Sequence, residues 1–167
     1  DIPLLETDFI AENGVIHTLD GVLTPPSVDL SITVTYEGLE GDIISVQTLE
    51  IGDTLNYPTP LTYGGYTFVE WSLDATTVTQ SVTIIAVYEK IYMTLEELSA
   101  FDGQNGQPAY ILVDGVIYDV TNSSYWNNGG HNGYQAGQDL TQYILNVSPH
   151  GTSVLSRLPV VAFLRED

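Results

Sequence analysis

The chain has no cysteine. Disulfides, iron–sulfur clusters, thiolate zinc sites and thioether-linked c-type haem are thereby excluded. Positive charge is nearly absent as well. Lys90, Arg157 and Arg165 stand against 22 acidic residues, a formal net charge of −19. Three cations cannot build a basic patch, which excludes nucleic acid as a partner. An anionic membrane surface repels such a chain. The same charge keeps a protein soluble and works against casual self-association, and it favours a cationic partner or a bound metal ion. There is no apolar run of about 18 residues, so no membrane insertion by a spanning helix is expected. The chain opens at Asp1 with no initiator methionine and no signal-peptide pattern, which reads as a mature or trimmed terminus.

What remains is a chain of 167 residues, 43% of them apolar, enough for one ordinary domain or two to three small ones. Eleven tyrosines and frequent threonine lean toward β-structure. Two breaks divide it. Thr24-Pro25-Pro26-Ser27 is a stiff interruption, and Lys90-Ile91-Tyr92-Met93 is a joint. The expected organisation is an N-terminal strand-forming arm (1–26), a small β module (27–90) and a mixed α and β module (91–167). The expected class is therefore α+β and β-rich.

In the arm, Asn13-Gly14 signals a turn, and "VIHTL" and "GVL" read as strand pieces. Twenty-six residues bury too little surface to fold alone. The stretch "NGVIHTLDGVLTPP" resembles the closing segment of a fasciclin-type domain. By that likeness His17 is a packed or hydrogen-bonded histidine rather than a ligand.

In the second module, "LSITVTY" alternates as a strand should. "IISVQTLEIGDTLNYP" reads as two further strands, and "GGYTFVEW" and "SVTIIAVYEK" as a fourth and fifth. The turn spacing fits a small antiparallel or mixed sheet, with Phe68 and Trp71 in its core. Gly65-Tyr66-Thr67-Phe68, Trp71 and "VTIIAVYEK" resemble the Listeria–Bacteroides repeat, a β-grasp-like repeat of secreted surface proteins. That likeness implies an extracellular or cell-surface location and a spacer or interaction role.

In the third module, Thr94 with Glu97 forms a T-x-x-E capping box ahead of a short helix. "AYILVDGVIYDVT" reads as a hairpin turned by Asp114-Gly115. A Ser/Asn/Gly-rich loop follows, then His131, a helix from about Asp139 with Asp139 as its N-cap, and His150. Three readings of the two histidines are open: a metal pair, a cofactor clamp, or two unrelated surface residues. Imidazole suits iron. Zinc held by both histidines and a carboxylate is an alternative. No G-x-S-x-G, P-loop or dinucleotide fingerprint is present.

The order "TLEELSAFDGQNGQPAYILVDGVIYDVT", His131, "AGQDLT", "SPHG", "LPVVAFL" resembles the cytochrome b5-like haem/steroid-binding domain across 93–164. The likeness implies one non-covalent haem b with His131 and His150 on opposite faces of the iron. The usual His-Pro-Gly-Gly run is replaced by His131-Asn132-Gly133, and the link to Ala136 is short. Tyr134 is therefore the alternative axial ligand. The flat ring needs an apolar slot, for which Leu140, Ile144, Leu145 and Val147 are the expected wall on one side. Val154, Leu155 and Leu158 are the expected wall on the other. Backbone N–H groups of 127–130 are the expected receivers of a propionate.

Ligation by two histidines leaves no open coordination position, which implies one-electron transfer rather than catalysis. The acidic surroundings favour the ferric state. The expected function is a secreted or surface b-type cytochrome, not an enzyme, whose redox partner is cationic or another cytochrome. An arm that must satisfy its backbone groups elsewhere also implies self-assembly through residues 1–26, by donating a strand to a neighbouring subunit and building a haem-bearing filament. The alternatives are extracellular haem or steroid capture without electron transfer, and a purely structural surface module.

Overall fold

The computed structural model describes residues 4–11, 14–19, 30–149 and 151–165. The chain divides into two compact units, Asp1–Ser31 and Ile32–Asp167. In the first, β1 (Leu4–Ala11) pairs antiparallel with β2 (Gly14–Leu19). Ala11 faces Gly14, Phe9 faces Ile16 and Leu4 faces Leu19, with two register shifts between. The sequence signal for β2 was clear. β1 went unread because Glu6, Thr7 and Asp8 interrupt its apolar alternation. "GVL" and the Asn13 turn position lie outside the described residues, as does the side chain of His17.

The second unit begins with four strands, β3 (Ser31–Glu37), β4 (Ile43–Glu50), β5 (Tyr66–Trp71) and β6 (Val82–Lys90). Their order across the sheet is β4-β3-β6-β5. The central β3–β6 pair is parallel, and β5 runs antiparallel to β6. The sheet is therefore mixed. Along β3 the buried residues are Ile32, Val34 and Tyr36, with Thr33 exposed and Thr35 half-buried between them, the alternation expected of a strand with one covered face.

Aromatic rings fill that core. Tyr36 meets Trp71 edge-on at 5.3 Å and Tyr57 at 5.6 Å between ring centroids. Phe68 packs against Trp71 at 5.6 Å. The expected third strand after Ile51 does not form. Residues 51–65 are a long connection, held by the Thr54–Thr77 bridge and by Leu55 N–H donating to Thr76 O at 2.8 Å. The Tyr57 hydroxyl adds a bond to Leu73 O at 2.7 Å. A half-buried tyrosine with a paired hydroxyl does there what a ladder would otherwise do.

The chain continues through β7 (Tyr92–Met93) into α1 (Leu95–Ser99). The capping box is complete. Thr94 accepts from Glu97 N–H at 3.1 Å, and the Glu97 carboxylate accepts from Thr94 N–H at 2.8 Å. Those bonds hold the Glu97 carboxyl below the usual carboxylate range, with a smaller push from the Arg165 charge. The hairpin follows, β8 (Tyr110–Val113) and β9 (Val116–Asp119). Asp114 and Gly115 both have positive φ, 50° and 77°, the type I′ geometry that matches strand twist.

After the loop come β10 (Gly130–His131), β11 (Tyr134–Gln135) and β12 (Gln138–Asp139). Then follow α2 (Thr141–Asn146), a 3-10 turn (Gly151–Arg157) and β13 (Val160–Leu164). A five-stranded sheet has the order β12-β8-β9-β13-β7. β8 is buried on both faces. Ile111 and Val113 join Leu140, Ile144 and Leu155 on one side. Leu112 joins Ile117, Leu98 and Ala162 on the other. This explains the unbroken apolar run of β8.

Candidate functional site

One face of the five-stranded sheet opens into a cleft of about 820 Å3. That volume lies within the roughly 300–1,000 Å3 usual for a bound organic cofactor. Its floor is Ile111, and its walls are the loop from Asn122 to Trp126, His131, α2 and the 3-10 turn. A shallower depression of about 470 Å3 on the other side of Leu155 carries no imidazole, and Asp114 is its one ionisable lining group besides Tyr118.

His131 reaches the cleft because a tight hairpin holds it there. Gly130 pairs with Gln135 and His131 with Tyr134, around Asn132 (φ 49°) and Gly133 (φ 85°). This is again the Asn-Gly turn of type I′. The hairpin is tied to the loop after α1. Gln135 Nε2 donates to Asp102 O at 2.6 Å and to Asn128 O at 3.1 Å, and Gln104 donates to the same Asn128 oxygen. Gly129 passes so close that a Cβ would lie 1.8 Å from Asp102 O. Only glycine fits that approach, at φ 75°.

The imidazole is oriented by its neighbours. His131 Nδ1 lies 2.8 Å from the carbonyl oxygen of Tyr125. A carbonyl only accepts, so Nδ1 carries the proton and Nε2 keeps its lone pair. Nε2 accepts from the Asn132 amide at 3.1 Å. A backbone carbonyl on one ring nitrogen is the arrangement that fixes the tautomer of a metal-ligating histidine. The ring is also braced by Trp126, 5.3 Å away and tilted 31°.

The other expected site residues separate. Ile144, Val154, Leu155 and Leu158 border the cleft with His131. Leu140 is buried in the core rather than on the cleft wall. Leu145 and Val147 do not border it and are 49% and 64% exposed. The helix is six residues long. Side chains turn about 100° per residue, so Ile144 faces inward, Leu145 does not, and Val147 lies beyond the last turn.

Tyr134 is not among the lining residues, and its ring lies against Tyr143 at 3.8 Å. His150 lies outside the described residues, while Ser148 and Pro149 just before it border the cleft. Asp139 is not the N-cap. It sits in β12, and Leu140 occupies the cap position. The Asp139 carboxylate still accepts from Thr141 N–H at 2.8 Å and from Thr141 Oγ1 at 2.5 Å, closing the first turn from one residue further out.

Of the expected propionate receivers, the two at the ends of 127–130 are occupied. Asn127 N–H and Gly130 N–H donate to each other's carbonyls at 2.9 Å. Sequence reasoning passed over Arg157, Asn122, Ser123, Ser124, Trp126 and Tyr143, all of which border the cleft. For the hairpin the signal was available in Asn132-Gly133. For the polar rim there was none. Among the described residues no three His, Asp or Glu side chains gather as a metal site, and no helix is long and apolar enough to cross a membrane.

Fold and site together define a β-rich α+β protein, in which a sheet-forming module precedes a small domain with an imidazole at the wall of a cleft lined by both apolar and polar side chains. Residues 33–95 match the Listeria-Bacteroides repeat domain, and residues 94–164 match the cytochrome b5-like heme/steroid binding domain. Among solved structures, a cytochrome b5 domain protein of Hadesarchaea YNP_N21 is 45% identical, over 44% of this chain and 97% of its own, with a TM-score of 0.42. A cytochrome b5 domain protein of Methanococcoides burtonii is 39% identical, over 44% of this chain and 96% of its own, with a TM-score of 0.43. No curated protein matches. The chain belongs to the cytochrome b5-like family through its C-terminal module. The matched family models start at residue 33, so the likeness of the arm to a fasciclin tail has no support from them.

Proposed function

We propose that the cleft holds one non-covalent b-type haem, with His131 and His150 as its axial ligands, and that the protein carries single electrons rather than catalysing a reaction. The observation that carries this reading is the His131 imidazole. Its Nδ1 proton is committed to Tyr125 O, and its Nε2 lone pair at the cleft wall is held by the Asn132 side-chain amide at 3.1 Å, an exposed contact that a metal ion would replace. Haem ligated on both faces supplies reversible one-electron transfer and leaves no position for O2 or peroxide. Ile111, Ile144, Leu155 and Leu158 supply the low-polarity walls such a ring needs. Tyr134 is the weaker candidate for the iron, since it lies behind Tyr143.

The test is a pair of spectra. Purified protein should show the oxidised and reduced bands of a six-coordinate haem, and the His131→Ala/His150→Ala double variant should lose them. A band unchanged in the double variant sinks the ligand assignment. A His131→Ala variant that keeps its six-coordinate spectrum while Tyr134→Phe loses it moves the ligand to Tyr134. Rapid haem loss from the wild-type protein to apomyoglobin would favour capture over a permanent redox centre.

The arm supports a second reading, assembly at the cell surface. Among the described residues β1 and β2 form a sheet of two strands. Such a hairpin is marginal alone in water and gains from any further strand or apolar face it meets. We infer that residues 1–26 dock on a neighbouring subunit by strand donation and so build a filament carrying haem. The Listeria–Bacteroides repeat that follows the arm in the chain, a module of surface proteins, fits an extracellular setting. Cationic redox proteins or further cytochromes are the partners that the charge favours. Removing residues 1–26 should abolish filaments in negative-stain images and leave the haem spectrum intact. Filaments that survive the truncation refute strand donation.

A further inference from the structure

A haem carries two carboxylates, and this chain already carries a formal charge of −19. Some group must offset that repulsion at the cleft. Of the three cations, Lys90 lies over the Phe163 ring, 4.6 Å from its centroid. Arg165 follows β13, its N–H bonded to Met93 O at 2.9 Å and its charge acting on Glu97. Arg157 alone borders the cleft.

Its position is set by packing. Arg157 ends the 3-10 turn between Leu155, which is buried, and Leu158, whose N–H donates to Leu155 O at 3.0 Å. Both leucines border the same cleft. The guanidinium therefore starts from the rim of the apolar slot while remaining in contact with water. Asn122, Ser123 and Ser124 add uncharged polar groups to the cleft. The competing anion is Asp119, whose carboxylate already accepts from Thr121 N–H at 2.7 Å. The backbone alternatives at Asn127 and Gly130 are spent on each other.

We propose that Arg157 is the carboxylate anchor of this cleft. Its guanidinium pairs with a propionate of the bound ring, slows the ring's departure and selects which edge faces out. The planar fork of arginine suits a carboxylate and stays charged at every pH of interest. This rests on the reading of the cleft as a haem site.

The experiment compares haem release, to excess apomyoglobin, from wild type and Arg157→Gln, each loaded either with haem or with haem dimethyl ester. Arg157 is exposed, so the glutamine variant should fold as wild type does. With haem, the variant should release about 5- to 10-fold faster, the size expected of a charged pair partly open to water. The difference should shrink in high salt. With the ester, wild type and variant should release at the same rate, because no carboxylate is left to pair. An equal difference with haem and ester overturns the anchor, since it would then reflect packing alone. So does a variant that holds haem as long as wild type. A wild-type protein that takes up neither ring overturns the haem reading itself, and the anchor with it.

Discussion

The two sheets of the second unit use similar residues to opposite ends. In residues 31–90 the aromatic rings turn inward. Tyr36 is fully buried, and Tyr57 and Trp71 close around it, so the face of the sheet is sealed by its own side chains and by one long connection. In residues 91–165 the face of β8 is covered by two short elements, α2 and the 3-10 turn. Tyr125, Trp126 and Tyr143 stand at the edge of the gap that they leave. A cleft forms where the covering layer is too short to meet itself. It becomes a candidate site because a hairpin delivers an imidazole to its wall. Composition does not distinguish the two sheets, and the length of the covering elements does.

The sharpest way to break the contrast is to empty the aromatic core. Tyr36→Ala should cost about 3–5 kcal/mol, as large-to-small changes of buried aromatics do, and lower the urea midpoint. The haem spectrum in the absence of urea should stay unchanged, and a shifted spectrum would show that the cleft depends on that core.

Gly129→Ala attacks the other sheet. The new Cβ meets Asp102 O, and the backbone is held at positive φ. The expected loss is about 3 kcal/mol, accompanied by weaker haem retention because the His131 hairpin must shift. Retention equal to wild type would mean that the hairpin positions itself without the Asp102 loop.

Thr94→Ala removes a completed cap and should cost about 1 kcal/mol, read in the same urea titration. Tyr36→Phe runs the other way. The Tyr36 hydroxyl is buried with no hydrogen-bond partner among the described residues, so its removal should stabilise the protein by about 1 kcal/mol.

The smallest effect is one of pH. The folded-state pKa of Glu97 is lowered from 4.5, so its contribution is complete above that value and is lost as pH falls through the depressed one. The stability gap between wild type and Glu97→Gln should be constant near neutrality and close in acid below pH 4.5. A gap that widens in acid would contradict the capping geometry.

Local chemistry was legible wherever a motif carries its own geometry. The Thr94–Glu97 box and the Asp114-Gly115 turn formed where their residues placed them, because each depends on atoms within a few positions. Asn132-Gly133 carries the same kind of local signal, and it turns the hairpin that holds His131. The strand expected after Ile51 failed for a different reason. Its alternation is real, but Leu55 and Tyr57 bond to the connection at 73–76 rather than to a ladder. The helix expected from Asp139 starts two residues later, because Gln138 and Asp139 add a short parallel strand beside β8. Leu145 and Val147 were assigned by apolar character alone, and a six-residue helix presents too few of its residues to one side.

By itself the sequence determined the charge, the absence of any thiol chemistry, the family of each larger module, and the caps and tight turns. These depend on composition or on neighbours in the chain. Only the tertiary structure decided which residues share the cleft. It set Ile144 facing in and Leu145 facing out, put Tyr134 behind Tyr143, spent the Asn127 and Gly130 amides on each other, and brought Arg157 to the rim. Each of those outcomes turns on the packing of segments distant in sequence, where a rotation of one residue along a helix or strand exchanges the buried face for the exposed one.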